Sequence, residues 1–173
     1  MSARAPARLL VGATLVAAVA TVARADAPPN QYGFFNSSSL AISDNHTGLT
    51  WERYAEPCGG MPTNCSPATV GSQIKAAAQC SSLTLGGLSW RLPSYKELET
   101  LVDEYPHVEY QQAQPTTLYI DENAFFGTPG DRPFWSSSTS ASSAAPIVVD
   151  FGTGQAASST PTPASYVRCV SGW

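Results

Sequence analysis

Residues 90–98 read WRLPSYKEL and contain the clearest structural signal in the 173-residue chain. Ser94 and Glu97 have the spacing of a capping box, in which each side chain accepts a hydrogen bond from the other residue's backbone amide. Pro106 ends the helix that this box begins. The apolar side chains in between share one face at helical spacing: Tyr95, Leu98, Leu101 and Val102. The stretch predicts a short helix that packs this face against a core.

A second helix is predicted upstream. Ser72 is suited to cap a helix that runs to about Ser81, because its side chain can accept a hydrogen bond from a free amide of the first turn. The apolar residues that we expect to face inward are Ile74, Ala77 and Ala78. Cys80 then lies near the end of this helix.

Strand patterns occur on both sides of the helical region. Residues 40–42 and 48–53 flank a stretch with Asp and Asn, which stabilise turns through bonds from their side chains to the backbone. Further short strands are predicted in the last third of the chain, at residues 134–136, 147–151, 155–158 and 166–170. Strands, helices and strands again in this order predict an α+β domain with antiparallel strands and not an alternating α/β fold.

The N-terminal segment has the pattern of a secretory signal peptide. Arg4 and Arg8 form its positive start, and residues 9–22 are apolar. Ala23 and Ala25 supply the small residues that precede a cleavage site. The apolar run is shorter than the ~20 residues that a helix needs to cross a bilayer, so no membrane span is expected.

These features divide the chain into three parts. Residues 1–25 are predicted to be the signal peptide, with cleavage between Ala25 and Asp26. Residues 26–37 are predicted to be a linker, and residues 38–173 a single domain. The mature protein is then secreted, periplasmic or attached to the cell surface.

Charge excludes one class of partner. The chain has 9 basic and 13 acidic residues, and the first 25 residues hold three of the arginines and no acid. The mature chain therefore has 6 basic and 13 acidic residues, a net charge of −7. Nonspecific nucleic-acid binding requires a basic surface, so no nucleic-acid partner is expected.

The four cysteines form an even set in a chain predicted to reach an oxidising compartment. Three pairings can be written. Cys58–Cys65 is favoured because the surrounding prolines and glycines make that stretch rich in turns, and this leaves Cys80–Cys169. The second bridge closes about 90 residues and would stabilise the fold by about 4 kcal/mol. Zinc binding is the competing interpretation, but the chain has two histidines and no C-x-x-C pair.

Residues 106–132 contain no periodic run and predict a long loop, which in a compact domain is usually functional. The candidate ligand-binding residues of this loop are Tyr110, Tyr119, Asp121, Glu122, Asn123 and Asp131. Calcium, if bound, would use the carboxylates of Asp121, Glu122 and Asp131. Their spacing does not match a calcium-binding loop, so solvated acids and no cofactor are the simpler expectation.

Five blocks of sequence carry a resemblance to a known family. They are residues 44–52 (DNHTGLTWE), 90–98 (WRLPSYKEL), 134–138 (FWSSS), 149–154 (VDFGTG) and 166–170 (YVRCV). In this order they resemble the C-terminal domain of the Legionella collagen-like adhesin, a large bacterial family of mostly unknown function. The resemblance covers about residues 38–173.

The resemblance implies a fold and a function. The family is similar to C-type-lectin-like domains, whose long-range disulfide joins a helix to the last strand, as Cys80–Cys169 would. It implies an extracellular binding module with a polysaccharide or envelope polymer as ligand. The adhesin domain is associated with sulfated glycosaminoglycans, which a net charge of −7 repels, so a neutral glycan or a protein fits this chain better. The chain has no Gly-x-y run like the adhesin's collagen stalk, which predicts a monomer.

Two alternatives to glycan binding stay open. One is a structural or protein-interaction module of a bacterial surface assembly. The other is an enzyme, because formylglycine-generating enzymes share the R-L-P-x-x-x-E helix start. That chemistry needs two reactive cysteines late in the chain, where only Cys169 occurs, so no enzymatic activity is expected.

The family blocks also contain residues for which a structural role is expected. A Trp beside a strand usually fills the core, because its burial removes so much apolar surface from water. Arg91 and Glu97 are expected to belong to a polar network at the helix start. The whole set is Trp51, Trp90, Arg91, Pro93, Ser94, Glu97, Trp135, Asp150 and Arg168.

Overall fold

The computed structural model of the chain describes residues 27–55, 71–111, 114–158 and 165–172. The predicted signal peptide and the predicted Cys58–Cys65 bridge lie outside these residues. Two helices are described, α1 (Gln73–Ser82) and α2 (Tyr95–Glu99). The described strands are β1 (Tyr32–Phe34), β2 (Ala41–Asp44), β3 (Thr50–Glu52), β4 (His107–Gln111), β5 (Gln114–Leu118), β6 (Phe134–Thr139), β7 (Pro146–Asp150), β8 (Gln155–Ser158) and β9 (Val170–Ser171).

The strands form three antiparallel sheets. The largest has the order β1-β2-β3-β9, and it brings the last strand against an early hairpin. A second sheet has the order β6-β7-β8, and β4 pairs with β5 alone. The predicted mixture of two helices with antiparallel strands is confirmed. Within the described residues, no helix is long and apolar enough to span a membrane.

Strand β1 lies inside the segment that was predicted to be a linker, so that prediction is wrong for these residues. Tyr32 pairs with Asp44 and Phe34 pairs with Ile42 in antiparallel register. The Tyr32 ring also packs edge-on against Phe125, with 5.0 Å between the ring centroids. Three residues are too few to show an alternating pattern in the sequence, and backbone pairing with β2 makes the strand.

Helix α1 begins at the predicted cap, but it buries a different face from the one that was predicted. The Ser72 hydroxyl accepts a hydrogen bond from the Lys75 amide and caps the helix. Ala76 and Cys80 face the core, whereas Ile74 is 81% exposed and Ala77 and Ala78 are also exposed. The disulfide from Cys80 fixes which face points inward, because residues four apart lie on the same side of a helix.

Helix α2 has the predicted capping box. The Ser94 Oγ accepts from the Glu97 amide at 3.2 Å, and the Glu97 carboxylate accepts from the Ser94 amide at 2.7 Å. Leu98 and Leu101 are buried, and Tyr95 packs at the edge of the same cluster. The apolar face read from the sequence is therefore the one that the fold buries.

The predicted loop over residues 106–132 contains the β4–β5 hairpin, so that prediction is wrong for its first half. The hairpin is held by backbone pairing; residues 107–111 (HVEYQ) alternate polar and apolar residues, a strand signal that the loop prediction overlooked, whereas residues 114–118 (QPTTL) do not. Leu118 is buried and packs over Gly130. A Cβ at Gly130 would lie 2.8 Å from Leu118 Cδ2, so the glycine allows the hairpin to sit directly on the following loop.

Two apolar clusters form the core. The larger one gathers side chains from β2, β3, α2, β6 and β7, and the smaller one surrounds the disulfide. The predicted Cys80–Cys169 bridge is confirmed, with 5.4 Å between the Cα atoms, and it ties α1 to the C-terminal segment. The three tryptophans for which a core position was expected are buried: Trp51, Trp90 and Trp135.

Candidate functional site

A cleft of about 360 Å³ opens between strand β1 and the turn that follows Asp121. This volume lies within the range of sites that bind small molecules. The lining combines aromatic rings and apolar side chains with polar groups. Its members that matter for recognition are Asn30, Tyr32, Phe34, Ile42, Asp121 and Asn123.

The first wall of the cleft is the N-terminal segment from residue 27 to the end of β1. This segment is tied to the β2–β3 turn by Asn45, whose side chain donates to the Asn30 carbonyl at 2.9 Å. The Asn45 amide donates to the Gln31 carbonyl at 2.8 Å. Asn30 adopts a positive φ of 67°, which asparagine tolerates better than most residues. The two bonds from Asn45 therefore fix this wall to the β2–β3 turn at Asn30 and Gln31.

The second wall is the turn of residues 121–128. Asp121 Oδ1 accepts from the amides of Asn123 and Ala124 at 2.8 and 3.2 Å. The Phe125 amide donates to the Asp121 carbonyl and closes the turn. An aspartate in this position stabilises a turn by satisfying backbone donors that the turn leaves open. Asp121 also lines the cleft, so one side chain both stabilises the turn and contributes to the candidate site.

Arg53 connects the two walls. Its Nε donates to the Ala124 carbonyl and its Nη2 to the Asn123 carbonyl, both at 3.2 Å. Its guanidinium carbon lies 5.1 Å from the centroid of the Phe34 ring, a cation–π distance. The guanidinium therefore contacts β1 and the turn at once, and it sets their separation at this end of the cleft.

Behind the turn lies a buried arginine. Arg168 is fully buried; its Nη1 donates to the Glu52 carbonyl and its Nη2 to Thr128 Oγ1, each at 2.8 Å. Its guanidinium lies 4.8 Å from the centroid of the Phe125 ring. Burial lowers the pKa of Arg168, and the nearby charges of Glu52 and Glu122 oppose that shift. The turn therefore rests on a fixed cationic group.

Two side chains near the cleft have shifted pKa values. Burial raises the pKa of Glu122 to about 7, although its carboxylate accepts from the amides of Gly127 and Thr128 at 3.0 and 3.4 Å. Burial also raises the pKa of the Tyr32 phenol, and the negative charges of Asp44, Asp103 and Asp121 raise it further. Tyr32 therefore presents a neutral hydroxyl at physiological pH.

The structure separates the six residues predicted to bind ligand. Asp121 and Asn123 line the cleft, whereas Glu122 is not part of the lining and bonds to the amides of Gly127 and Thr128. Asp131 accepts a hydrogen bond from the Tyr166 hydroxyl at 2.7 Å. The Tyr119 ring packs at Gly154, where a Cβ would lie 3.0 Å from it. Tyr110 falls in β4, and its side chain lies outside the described part of the structure.

The three carboxylates named for calcium have separate partners. Asp121 and Glu122 accept backbone amides, and Asp131 accepts the Tyr166 hydroxyl. Among the described residues, no group of three or more His, Cys, Asp or Glu side chains is placed to hold a metal ion.

Sequence reasoning missed the first wall. Tyr32, Phe34 and Asn30 stand in the segment interpreted as a linker, and Arg53 was not singled out. The aromatic run YGFF at residues 32–35 is the signal that could have found this wall, because four aromatic or small residues in a row are unusual for a flexible linker.

The family-block residues at α2 form a polar cluster that is not part of the cleft lining. Arg91 makes two bonds to the Glu97 carboxylate, at 3.0 and 2.6 Å, and holds the pKa of Glu97 at about 2. The Pro93 carbonyl accepts from the Ser137 amide, and Asp150 Oδ1 accepts from the Gly152 amide. The Pro93–Ser137 bond joins the start of α2 to β6, and the Asp150 bond stabilises the turn after β7.

Comparison with known proteins identifies the family. No curated protein and no solved structure matches the chain. The family model described as the Lcl C-terminal domain matches residues 40–171, from the residue before β2 to the end of β9. Because this match spans well over half of the chain, the protein belongs to the Lcl C-terminal domain family.

Proposed function

We propose that this protein is a noncatalytic binding module that recognises a glycan or an envelope polymer at the bacterial surface. The observation that carries the proposal is the cleft between β1 and the 121–124 turn, which brings aromatic rings and polar side chains together. Clefts of this kind, with an apolar lining and a few convergent polar groups, are typical ligand sites.

The chemistry of the cleft favours binding over hydrolysis. A glycosidase uses two carboxyl groups that face each other across the bond to be cleaved. Among the described residues that line the cleft, Asp121 is the one carboxylate, and its Oδ1 is occupied by backbone amides. This arrangement suits an acceptor for ligand hydroxyls.

A C-type-lectin-like fold is part of the proposal. Its support is the disulfide that joins helix α1 to the C-terminal segment across 89 residues. The placement of the last strand beside the early β2–β3 hairpin also agrees with such a fold. A solved structure of the chain, or of a close relative, would test it.

Export to the periplasm or the cell surface is the proposed localisation. The disulfide supports it, because such bridges persist in oxidising compartments and are rare in the cytosol. Mass spectrometry of the protein from culture fractions would test it. The expected mature N-terminus is Asp26, and an intact Met1 in the soluble cytoplasmic fraction would contradict export.

A protein-interaction module is the second candidate, and the β4–β5 hairpin favours it. Val108 is 56% exposed in this hairpin, and the preceding Tyr105 is also exposed. Exposed apolar groups close together in one hairpin region are compatible with a protein partner. A protein partner whose capture is lost with the Val108→Ser variant but kept with the Asp121→Asn variant of the cleft would favour this candidate.

A glycan-array screen of oxidised residues 26–173 tests the main proposal. It should be run with Ca²⁺ and repeated with a chelator, using protein whose monomeric state is checked by light scattering. We expect a specific signal that Asp121→Asn weakens, with Glu104→Gln, an exposed acid away from the cleft lining, as the matched control. Loss of the signal on chelation would add a metal ion to the site. A blank array with correctly bridged protein would contradict the proposal for the glycans represented.

A further inference from the structure

The rim of the cleft contains a fixed aromatic ring. Phe34 keeps 57% of its surface exposed, and the Arg53 guanidinium lies over one face of its ring. Because Arg53 is bonded to the carbonyls of Asn123 and Ala124, the ring is held against the opposite wall. An ordered and exposed ring is a stacking surface, because little conformational entropy is lost when a ligand covers it.

Two polar side chains on the opposite wall have bonding capacity left over. Asp121 uses Oδ1 for both turn amides, and no donor in the described ranges reaches its Oδ2. The Asn123 side chain is exposed, and within the same ranges its carboxamide has no hydrogen-bond partner, whereas its backbone amide donates to Asp121. A carboxylate accepts hydrogen bonds, while a carboxamide both donates and accepts them. Together they match neighbouring hydroxyl groups on one ring.

The charges around the cleft disfavour an anionic ligand. The Asp121 carboxylate repels a negative group at the lining. The nearby cation, Arg53, already donates to carbonyls of three residues: Ser39, Asn123 and Ala124. Three of its five N–H donors, one on each nitrogen, are therefore already used, which makes Arg53 a weaker partner for the bidentate pairing of carboxylates and sulfates. Tyr32 stays protonated, so it adds no charge.

The two walls differ in how they relate to the family. The 121–124 turn lies within the matched residues 40–171, whereas Asn30, Tyr32 and Phe34 precede them. The stacking surface is thus contributed by a segment outside the family match. Ligand choice in this chain is expected to depend on β1 as well as on the domain itself.

We infer that the cleft binds one uncharged sugar ring, stacked on Phe34 and hydrogen-bonded through its hydroxyls to Asp121 and Asn123. The inference rests on the proposed function and adds the charge and size of the ligand and its contacts. A cleft of about 360 Å³ that is open to solvent has room for one ring, including one within a longer polymer.

Titration of the ¹⁵N-labelled chain with single sugars tests the inference. The probes are the methyl glycosides of glucose, galactose and mannose, together with N-acetylglucosamine and glucuronic acid. At least one neutral sugar is expected to shift the backbone amide resonances of Gly33, Phe34 and Asn123. Glucuronic acid is expected to bind at least about tenfold more weakly than the neutral sugar, because of the Asp121 charge.

Matched variants separate the contacts. Phe34→Ala should weaken binding of the neutral sugar at least about tenfold, because the stacking surface is lost. Tyr105→Ala removes another exposed ring, 61% exposed, that lies outside both walls and the cleft lining, and it should leave binding unchanged. Asp121→Asn keeps an acceptor for the turn amides but removes the negative charge. It should therefore reduce the difference in affinity between the neutral sugar and glucuronic acid.

The outcomes distinguish the inference from the proposed function. If the array identifies a glycan that Phe34→Ala binds as tightly as the wild type, the inference is wrong and the proposed function stands. Glucuronic acid binding as tightly as the neutral sugars would contradict the assigned ligand charge. If neither the array nor any probe sugar gives a signal, the inference and the proposed function both fail.

Discussion

Two arginines of this molecule, Arg91 and Arg168, lie in contrasting environments. Arg91 is 39% exposed in its side chain and makes two bonds to Glu97, six residues along the chain. Arg168 is fully buried, and it donates to Glu52, 116 residues away, and to Thr128 across 40 residues. Arg91 organises the start of one short helix and also donates to the Gly172 carbonyl at 3.1 Å from the protein surface. Arg168 connects β3, the 121–128 turn and the C-terminal segment from inside the core.

The difference has energetic consequences. A partly exposed ion pair gains little, because water already solvates both charges well. A buried cation is costly to place, and removing it leaves the groups that compensated it without partners. We therefore expect the fold to depend far more on Arg168 than on Arg91, although both belong to the sequence blocks of the family.

The largest expected effect comes from Arg168→Met, which keeps apolar volume and removes the charge. It removes the donor to Thr128 Oγ1 and to the carbonyls of Glu52 and Arg53, and with it the cation beside the carboxylates of Glu52 and Glu122. We expect a loss of about 5 kcal/mol in the free energy of unfolding. That is comparable to the whole stability of many domains, so the variant should be largely unfolded at 25 °C.

Arg91→Met is the matched comparison, and denaturant unfolding followed by tryptophan fluorescence measures both. We expect Arg91→Met to lose about 1 kcal/mol. Equal losses for the two variants would show that burial is not what distinguishes these arginines. A soluble but marginal Arg168→Met protein can still be compared in the presence of a stabilising osmolyte.

The disulfide beside Arg168 gives the next largest effect. Cys80–Cys169 spans 89 residues, so its removal in the Cys80→Ala/Cys169→Ala variant frees a long loop in the unfolded chain. We expect a loss of about 4 kcal/mol and a fall in Tm of about 10 °C. Differential scanning calorimetry measures both quantities. A fall of less than 3 °C would mean that the noncovalent contacts of this segment hold it without the bridge.

Local features of the fold were predictable from the sequence. The Ser94–Glu97 capping box needs only the spacing of two residues, and the Ser72 cap needs one side chain at the right place. The Cys80–Cys169 pairing followed from the turn-rich surroundings of the other two cysteines. Signals of this kind are complete within a few residues, so the sequence displays them directly.

The rest depends on contacts between distant residues. Strand β1 is too short to show periodicity, and strand β5 (QPTTL) is formed by backbone pairing without any alternation in its sequence, although its partner β4 (HVEYQ) does alternate. Asp121 and Asn123 were predicted as site residues, but nothing local indicated that Phe34 would lie opposite them. Arg53 joins the two walls through a bond across 71 residues, which only the folded chain shows.

A smaller effect is expected from Glu122, the acid near Arg168. Its pKa is raised by burial to about 7, above the usual 4.5 of the unfolded chain. The protonated form therefore stabilises the fold below about pH 4.5, and this contribution is lost as the pH rises through about 7. Glu122→Gln resembles the protonated form, so we expect it to be about 2 kcal/mol more stable than the wild type at pH 8.5.

Urea unfolding of Glu122→Gln and the wild type at pH 4.5 and pH 8.5 measures this effect. The two proteins should be nearly equal at pH 4.5, where the wild-type side chain is protonated. A Glu122→Gln variant that is less stable than the wild type at pH 8.5 would show that the ionised carboxylate, bonded to Gly127 and Thr128, stabilises the turn overall.

The smallest effect is expected for the partly exposed Arg91–Glu97 ion pair. Arg91 holds the pKa of Glu97 at about 2, so the pair stabilises the fold above about pH 4.5 and loses that contribution as the pH falls toward 2. Glu97→Gln keeps an acceptor for the Ser94 amide but removes the ion pair, and partial exposure limits the expected loss to about 1 kcal/mol at pH 7.

Urea unfolding at pH 7 and pH 2.5 tests this limit, because the loss should shrink at the lower pH in proportion to protonation of Glu97. Salt provides the sharper control: 0.5 M NaCl should reduce the loss at pH 7 by screening an exposed pair. The cost of Arg168→Met should change little in salt, since water and ions do not reach that guanidinium. Equal salt responses would mean that the two arginines differ in location but not in electrostatic environment.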